Sequence, residues 1–213
     1  MTLDQSALEA ILFHEFEGVP DACGRGSHWT ADHCRRVAHL AVTLRKAVGE
    51  RPQLDDLVYL SGLFHDVCHD TAFHEHGEAG AKRVRELLAG KVPAPLLERA
   101  AAIIAVHDDK RPPDASPYDT ATHLVQDADL LDHNGALQIY QCICYGQTLG
   151  MSFAEELDHL ERKTLPLWRK KTALFHFAAS RAEWERRTAF VEAFLRRGRR
   201  EEAPQLFADD AVL

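Results

Sequence analysis

Apolar positions recur along this chain at helical spacing almost from end to end. Between residues 33 and 48, Val37, Leu40, Ala41, Leu44 and Val48 fall on one stripe, the pattern of an amphipathic helix. Asp32 stands where an N-cap belongs and Gly49 where a helix stops. Residues 54–66 repeat the pattern with Leu54, Leu57, Val58, Leu60 and Leu63, and end at His65-Asp66. A short amphipathic helix is predicted over 77–89, stopped by Gly90. Another is predicted over 95–107, with Leu97, Ala100, Ile104 and His107 on one face. The Pro- and Asp-rich stretch 108–120 reads as a loop. Helices over 121–131 and 135–149 follow, parted by Asn134-Gly135. Beyond them, 152–178 and 181–197 read as two long charged helices, with Pro166 as the only breaker. No alternating strand pattern, internal repeat or low-complexity linker interrupts the series, so the predicted fold class is all-α.

Composition narrows the picture. With 213 residues, 46% of them hydrophobic, the chain can bury one sizeable core and is expected to form a single domain with a helical extension. No apolar run approaches the roughly 20 residues that span a membrane. The start, MTLDQSALEAILFHEF, carries Asp4 and Glu9 and lacks the basic-then-apolar order of a secretory signal, so a cytoplasmic location is expected. A formal net charge of -8 argues against a broad nucleic-acid surface. Arg196, Arg197, Arg199 and Arg200 read as a solvated helix end, where cations suit the dipole. Five cysteines (Cys23, Cys34, Cys68, Cys142 and Cys144) without a C-x-x-C pair imply reduced thiols, mostly buried. The aromatics Trp168, Phe175, Phe177, Trp184, Phe190 and Phe194 are expected to cover the core; a homodimer face is the alternative use.

Histidine is the unusual component, with 13 in the chain. His65-Asp66, in LSGLFHDVCHD, ends an apolar helix. An imidazole nitrogen and a carboxylate oxygen side by side suit one divalent cation, although such a pair more often caps a helix. His33 lies upstream in DHCRRVAHLA, and Asp127, Asp129 and Asp132 lie downstream in LVQDADLLDHNGA. Asp127 and Asp129 are separated by about 200° around a helix. At least one carboxylate should therefore face the apolar side and need a cation or several donors.

In this order, His33, His65-Asp66 and Asp129, each on its own helix, resemble the HD-domain superfamily of metal-dependent phosphohydrolases. The stretches HCRRVAHLA, LFHDVCHD, HGEAGAKRV, IIAVH and VQDADLLDHNGA look like successive blocks of its bacterial hydrolase subfamily, over about residues 25–145. The resemblance implies an N-terminal helix over 1–24, the metal-binding domain over 25–150, and a helical extension over 151–213 packed on the same core. It implies His33, His65, Asp66 and Asp129 as ligands of a divalent ion (Mn, Mg, Co, Ni, Zn or Fe), with Asp129 preferred to Asp127 because its A-D-L-L resembles the family's A-D-R-L. Leu130 stands where the family has arginine, and His28 lies five positions before His33 where the family often has a histidine at four. Histidines at the places of His76 and His107 resemble those that hold a second metal in binuclear members, and they could instead meet a substrate phosphate.

The expected activity is hydrolysis of a phosphoester or phosphoanhydride in a nucleotide-like small molecule. Asp70 and His69, just past the HD pair, are the candidates for proton transfer, Asp70 the better match to the family. Arg36, Lys82, Lys110 and Arg111 are the nearest cations in sequence to the proposed ligands and so the candidate phosphate contacts. His14, His39, His123, His133, His159 and His176 are read as structural or surface residues. The alternatives are a di-iron oxygenase on the same scaffold, which needs His76 and His107 as ligands, and a non-catalytic metal- or nucleotide-binding module.

Overall fold

Helix follows helix in the structure, a computed structural model that describes residues 3–20, 28–72 and 74–203. These residues contain no strand. The helices are α1 (Gln5–Glu15), α2 (Trp29–Ala47), α3 (Asp55–Phe64), α4 (His76–Leu88), α5 (Ala94–Val106), α6 (Thr120–Asp132), α7 (Ala136–Thr148), α8 (Phe153–His159), α9 (Leu165–Lys171) and α10 (Ala178–Glu202). None is long and apolar enough to cross a membrane. Cys34, Cys68, Cys142 and Cys144 are free thiols; Cys23 lies outside the described residues.

The apolar stripes do the packing they predict. α2 lies against α3 and α6, α4 against α5, and α3 against α5 and α6. Val37, Ala41, Leu57, Leu60, Leu63, Ala100 and Ile104 are buried in one cluster. Helix α3 meets α2 closely at Gly62, where an added Cβ would lie 2.9 Å from the Ala38 Cα. Glycine therefore lets α3 press backbone to backbone against α2. That contact sits three residues before His65 and five after His33.

The C-terminal helices bury a second apolar cluster, in which Trp168, Phe175 and Trp184 pack with Leu130 and Leu131 of α6. Leu40 of α2 touches both clusters. Phe194 packs against the second cluster and Phe177 against the first, whereas Phe190 is exposed. The arginines near the end of α10 pair with acids: Arg197 with Glu201, and Arg199 with Asp158 and Glu161.

Several boundaries differ from the sequence pattern: the helix expected over 1–24 is Gln5–Glu15 among the described residues, and the one expected over 181–197 runs Ala178–Glu202. α2 begins at Trp29 rather than at His33: Asp32 N–H already donates to the His28 carbonyl, and Asp32 is not the cap but a first-turn residue paired with Arg35. The expected single helix over 152–178 is broken. After α8 comes one π turn, Leu160–Thr164, which leads into α9 with Pro166 in its first turn. Proline has no N–H to give and crowds the carbonyl four residues earlier, so the ladder shifts register there.

The chain then runs extended at Phe175 and restarts as α10. The buried Asp127 carboxylate accepts the backbone N–H groups of His176 and Phe177 at 3.1–3.2 Å, so a side chain of α6 fixes where α10 begins. Asp127 thus meets its need for donors with backbone amides.

Gly62→Ala should force α2 and α3 apart and cost about 1–3 kcal/mol of stability. Urea unfolding followed by circular dichroism measures this; a change below about 0.5 kcal/mol would mean that the close approach is not needed.

Candidate metal centre

The site forms where helices end. α3 stops at Phe64, leaving its last carbonyls without helical partners. His65, the C-cap residue, donates its Nδ1–H to the Gly62 carbonyl at 2.8 Å. His107, the C-cap of α5, repeats the device with the Ile104 carbonyl at 2.7 Å. A carbonyl only accepts, so both rings carry their proton on Nδ1 and turn Nε2 toward the interior. His33, on α2, gives Nδ1–H to Asp132 Oδ2 at 2.7 Å, which turns its Nε2 inward as well. Asp132 is held in turn by a two-pronged contact from Arg36, whose guanidinium lies over the Trp29 ring.

The inward atoms crowd together. His33 Nε2 and His65 Nε2 are 3.2 Å apart, and Asp129 Oδ1 lies 3.2 and 3.6 Å from them. Asp66 Oδ2 lies 3.4 Å from His65 Nε2 and 3.7 Å from His33 Nε2. Its other oxygen, Oδ1, lies 3.2 Å from His107 Nε2 and 3.4 Å from His76 Nε2, and these two nitrogens are 3.2 Å apart. Ligand atoms about 2.1 Å from a divalent cation lie about 3.0 Å apart in an octahedral shell and about 3.4 Å apart in a tetrahedral one, so donors at this spacing suit a single ion. The buried Asp129 Oδ1 accepts no hydrogen bond among the described residues. The donor set therefore fits a divalent ion held by His33, His65, Asp66 and Asp129. The Asp66 carboxylate also faces a second group, His76 and His107.

The electrostatics agree. Burial alone would lower the His33 pKa, but the Asp129 and Asp132 carboxylates raise it to about 9. Burial would raise Asp66, yet His65 and His107 hold it well below the usual carboxylate range. Asp129 is likewise pulled down against burial, chiefly by the Lys110 ammonium. Both carboxylates are charged at neutral pH, as ligands must be.

The other expected residues are dispersed. His69 lines the same pocket and donates Nδ1–H to Asp70 Oδ1 at 2.8 Å; Thr30 donates to the other Asp70 oxygen at 2.8 Å. Lys110 lines the pocket and pairs with Asp129 Oδ2 at 2.8 Å. Arg36 is committed to Asp132, Arg111 is exposed and paired with Asp109, and Lys82 is exposed on α4. The pocket, about 500 Å³, also contains His74, His133 and Lys171. His133, read from sequence as structural or surface, places Nε2 3.3 Å from Asp129 Oδ1 and groups with His33 and Asp129. The signal for it was present: Asp129, Asp132 and His133 stand at i, i+3 and i+4, at the C-terminal end of α6.

A family model for the HD domain matches residues 30–134. The chain is an HD-domain protein, and the matched segment holds all the residues of the crowded cluster. Its fold is shared by an HD-superfamily hydrolase from Bacillus thuringiensis, 26% identical, with a TM-score of 0.66 over 93% of this chain and 96% of that one. A predicted HD-superfamily hydrolase from an uncultured Thermotogales bacterium, 20% identical, gives a TM-score of 0.63 over 92% and 91%. Bacillus subtilis YpgQ in complex with ADP, also 20% identical, gives 0.63 over 94% and 98%. No curated protein matches the chain.

A cation must displace the proton that His33 otherwise keeps up to about pH 9. Mn²⁺ affinity should therefore weaken as pH falls below 9, by about tenfold per unit for each proton released. Calorimetric titration between about pH 6 and 9, in buffers of different ionisation enthalpy, measures both affinity and proton release. An affinity independent of pH would contradict the arrangement.

Proposed function

We propose that the protein is a metal-dependent phosphohydrolase acting on a phosphoester or phosphoanhydride of a nucleotide-like small molecule. The observation that carries this reading is the convergence of His33, His65, Asp66 and Asp129, of which Asp66 and Asp129 line a pocket together with Lys110, whose ammonium pairs with Asp129. The ADP bound to YpgQ, a protein of the same fold, supports a nucleotide as ligand.

A divalent cation held by His33, His65, Asp66 and Asp129 would supply Lewis acidity, making water a usable nucleophile at neutral pH. The chain provides the rest. Asp132 and the Gly62 carbonyl hold the His33 and His65 rings in the orientation that aims Nε2 inward. Lys110 offers positive charge to a phosphoryl oxygen beside Asp129. His69 faces the pocket, and the Asp70 hydrogen bond raises its pKa. In this reading His69 gives the proton to the leaving oxygen, and Asp70, held by Thr30, positions its ring.

One observation favours a second reading, a di-iron oxygenase: Asp66 divides its two oxygens between the His33/His65 and His76/His107 pairs. Dioxygen consumption by iron-loaded protein with a small organic substrate would support it, and a lack of consumption with turnover of nucleotides would exclude it.

A panel of nucleoside mono-, di- and triphosphates with Mn²⁺, Mg²⁺, Co²⁺ or Ni²⁺ should yield phosphate, pyrophosphate or nucleoside. The His65→Ala/Asp66→Ala double variant should lose at least about a hundredfold in turnover. Full turnover in the double variant would show that the chemistry lies elsewhere.

A further inference from the structure

We propose that Lys171, carried by the C-terminal helix α9, is the contact for a phosphate group of the ligand beyond the one that reacts. The helical extension would then complete a site whose other parts come from the HD domain. This deepens the phosphohydrolase reading and rests on it.

Lys171 is the last residue of α9 and lies outside the HD-domain match. It is half-buried and lines the same pocket as Asp66, Asp129 and Lys110. Lys110 is already committed, with Asp129 Oδ2 at 2.8 Å and Asp108 Oδ1 at 3.0 Å. Lys171, by contrast, makes no hydrogen bond and no ion pair within 4 Å among the described residues. It feels Asp129 and Asp108, but burial and the Lys110 charge outweigh them and lower its pKa. Leu130 and Leu174 line the pocket too and offer it no partner.

A half-buried ammonium with three donors and no close acceptor gains when an anion arrives. That anion is distinct from the group at the ligand cluster. The reacting phosphorus has to lie beside Asp66 and Asp129, where Lys110 is paired, and Lys171 stands outside that pairing. Two phosphates joined through oxygen, as in a diphosphate, would span the two positions.

The test compares binding of inorganic pyrophosphate and orthophosphate by calorimetry, with Mn²⁺ in excess over both. Wild-type protein should prefer pyrophosphate. Lys171→Met and Lys171→Gln should each cut that preference about tenfold or more, while Lys171→Arg keeps most of it. Lys82→Met, which removes an exposed charge outside the pocket, should leave it unchanged. The proposal is overturned if wild type shows no preference, including no binding of either anion. It is equally overturned if Lys171→Gln or Lys171→Met leaves the preference intact, or if Lys82→Met reduces it as much. Failure of the hydrolase reading looks different: the preference would depend on Lys171 while no nucleotide in the panel is turned over.

Discussion

Imidazole nitrogens aimed at one another are the constraint on which this structure depends. His33 and His65, and likewise His76 and His107, bring Nε2 atoms to 3.2 Å beside the carboxylates of Asp66 and Asp129. Such a cluster is held together only by positive charge at its centre, a proton or a metal ion. The fold is arranged to enforce the crowding. Gly62 lets α3 approach α2, two helix C-termini fix the tautomers of His65 and His107, and Asp132 with Arg36 fixes His33. The groups that orient the ligands are thus the ones that close helix ends, so stability and metal binding share residues.

α6 ties the two apolar clusters to this centre. Asp127 and Asp129 point to opposite sides of it, as their spacing requires. Asp127 receives the first amides of α10, and Asp129 faces the imidazoles and Lys110. One helix therefore anchors the C-terminal extension and the metal-facing carboxylate within three residues. A shift of the extension would be felt at the site through a rigid element rather than through a loop.

Much of this was legible in the sequence because helical periodicity is a local property. The order of α2 to α7 follows from apolar stripes and from Gly49, Gly90 and Gly135, all of which adopt positive φ. His33, His65, Asp66, His76, His107 and Asp129 stand out as polar residues on or beside apolar faces. Less legible were features set by contacts between distant segments. The break before α10 depends on Asp127, some fifty residues away in sequence. The commitment of Arg36 to Asp132, and the position of Lys171 in the pocket, depend on helix packing that no local pattern encodes. Proximity in sequence was a poor guide to the phosphate contacts: Lys82 and Arg111 are near the ligands along the chain and outside the pocket in space.

The central claim is that this cluster is a divalent metal centre, with Asp66 facing both histidine pairs. Elemental analysis of the purified protein, before and after Asp66→Ala, tests it most directly. The account predicts at least one divalent ion per chain in the wild-type protein, and a variant that folds with the same helical spectrum but retains almost none. A variant that keeps the wild-type metal content would contradict it.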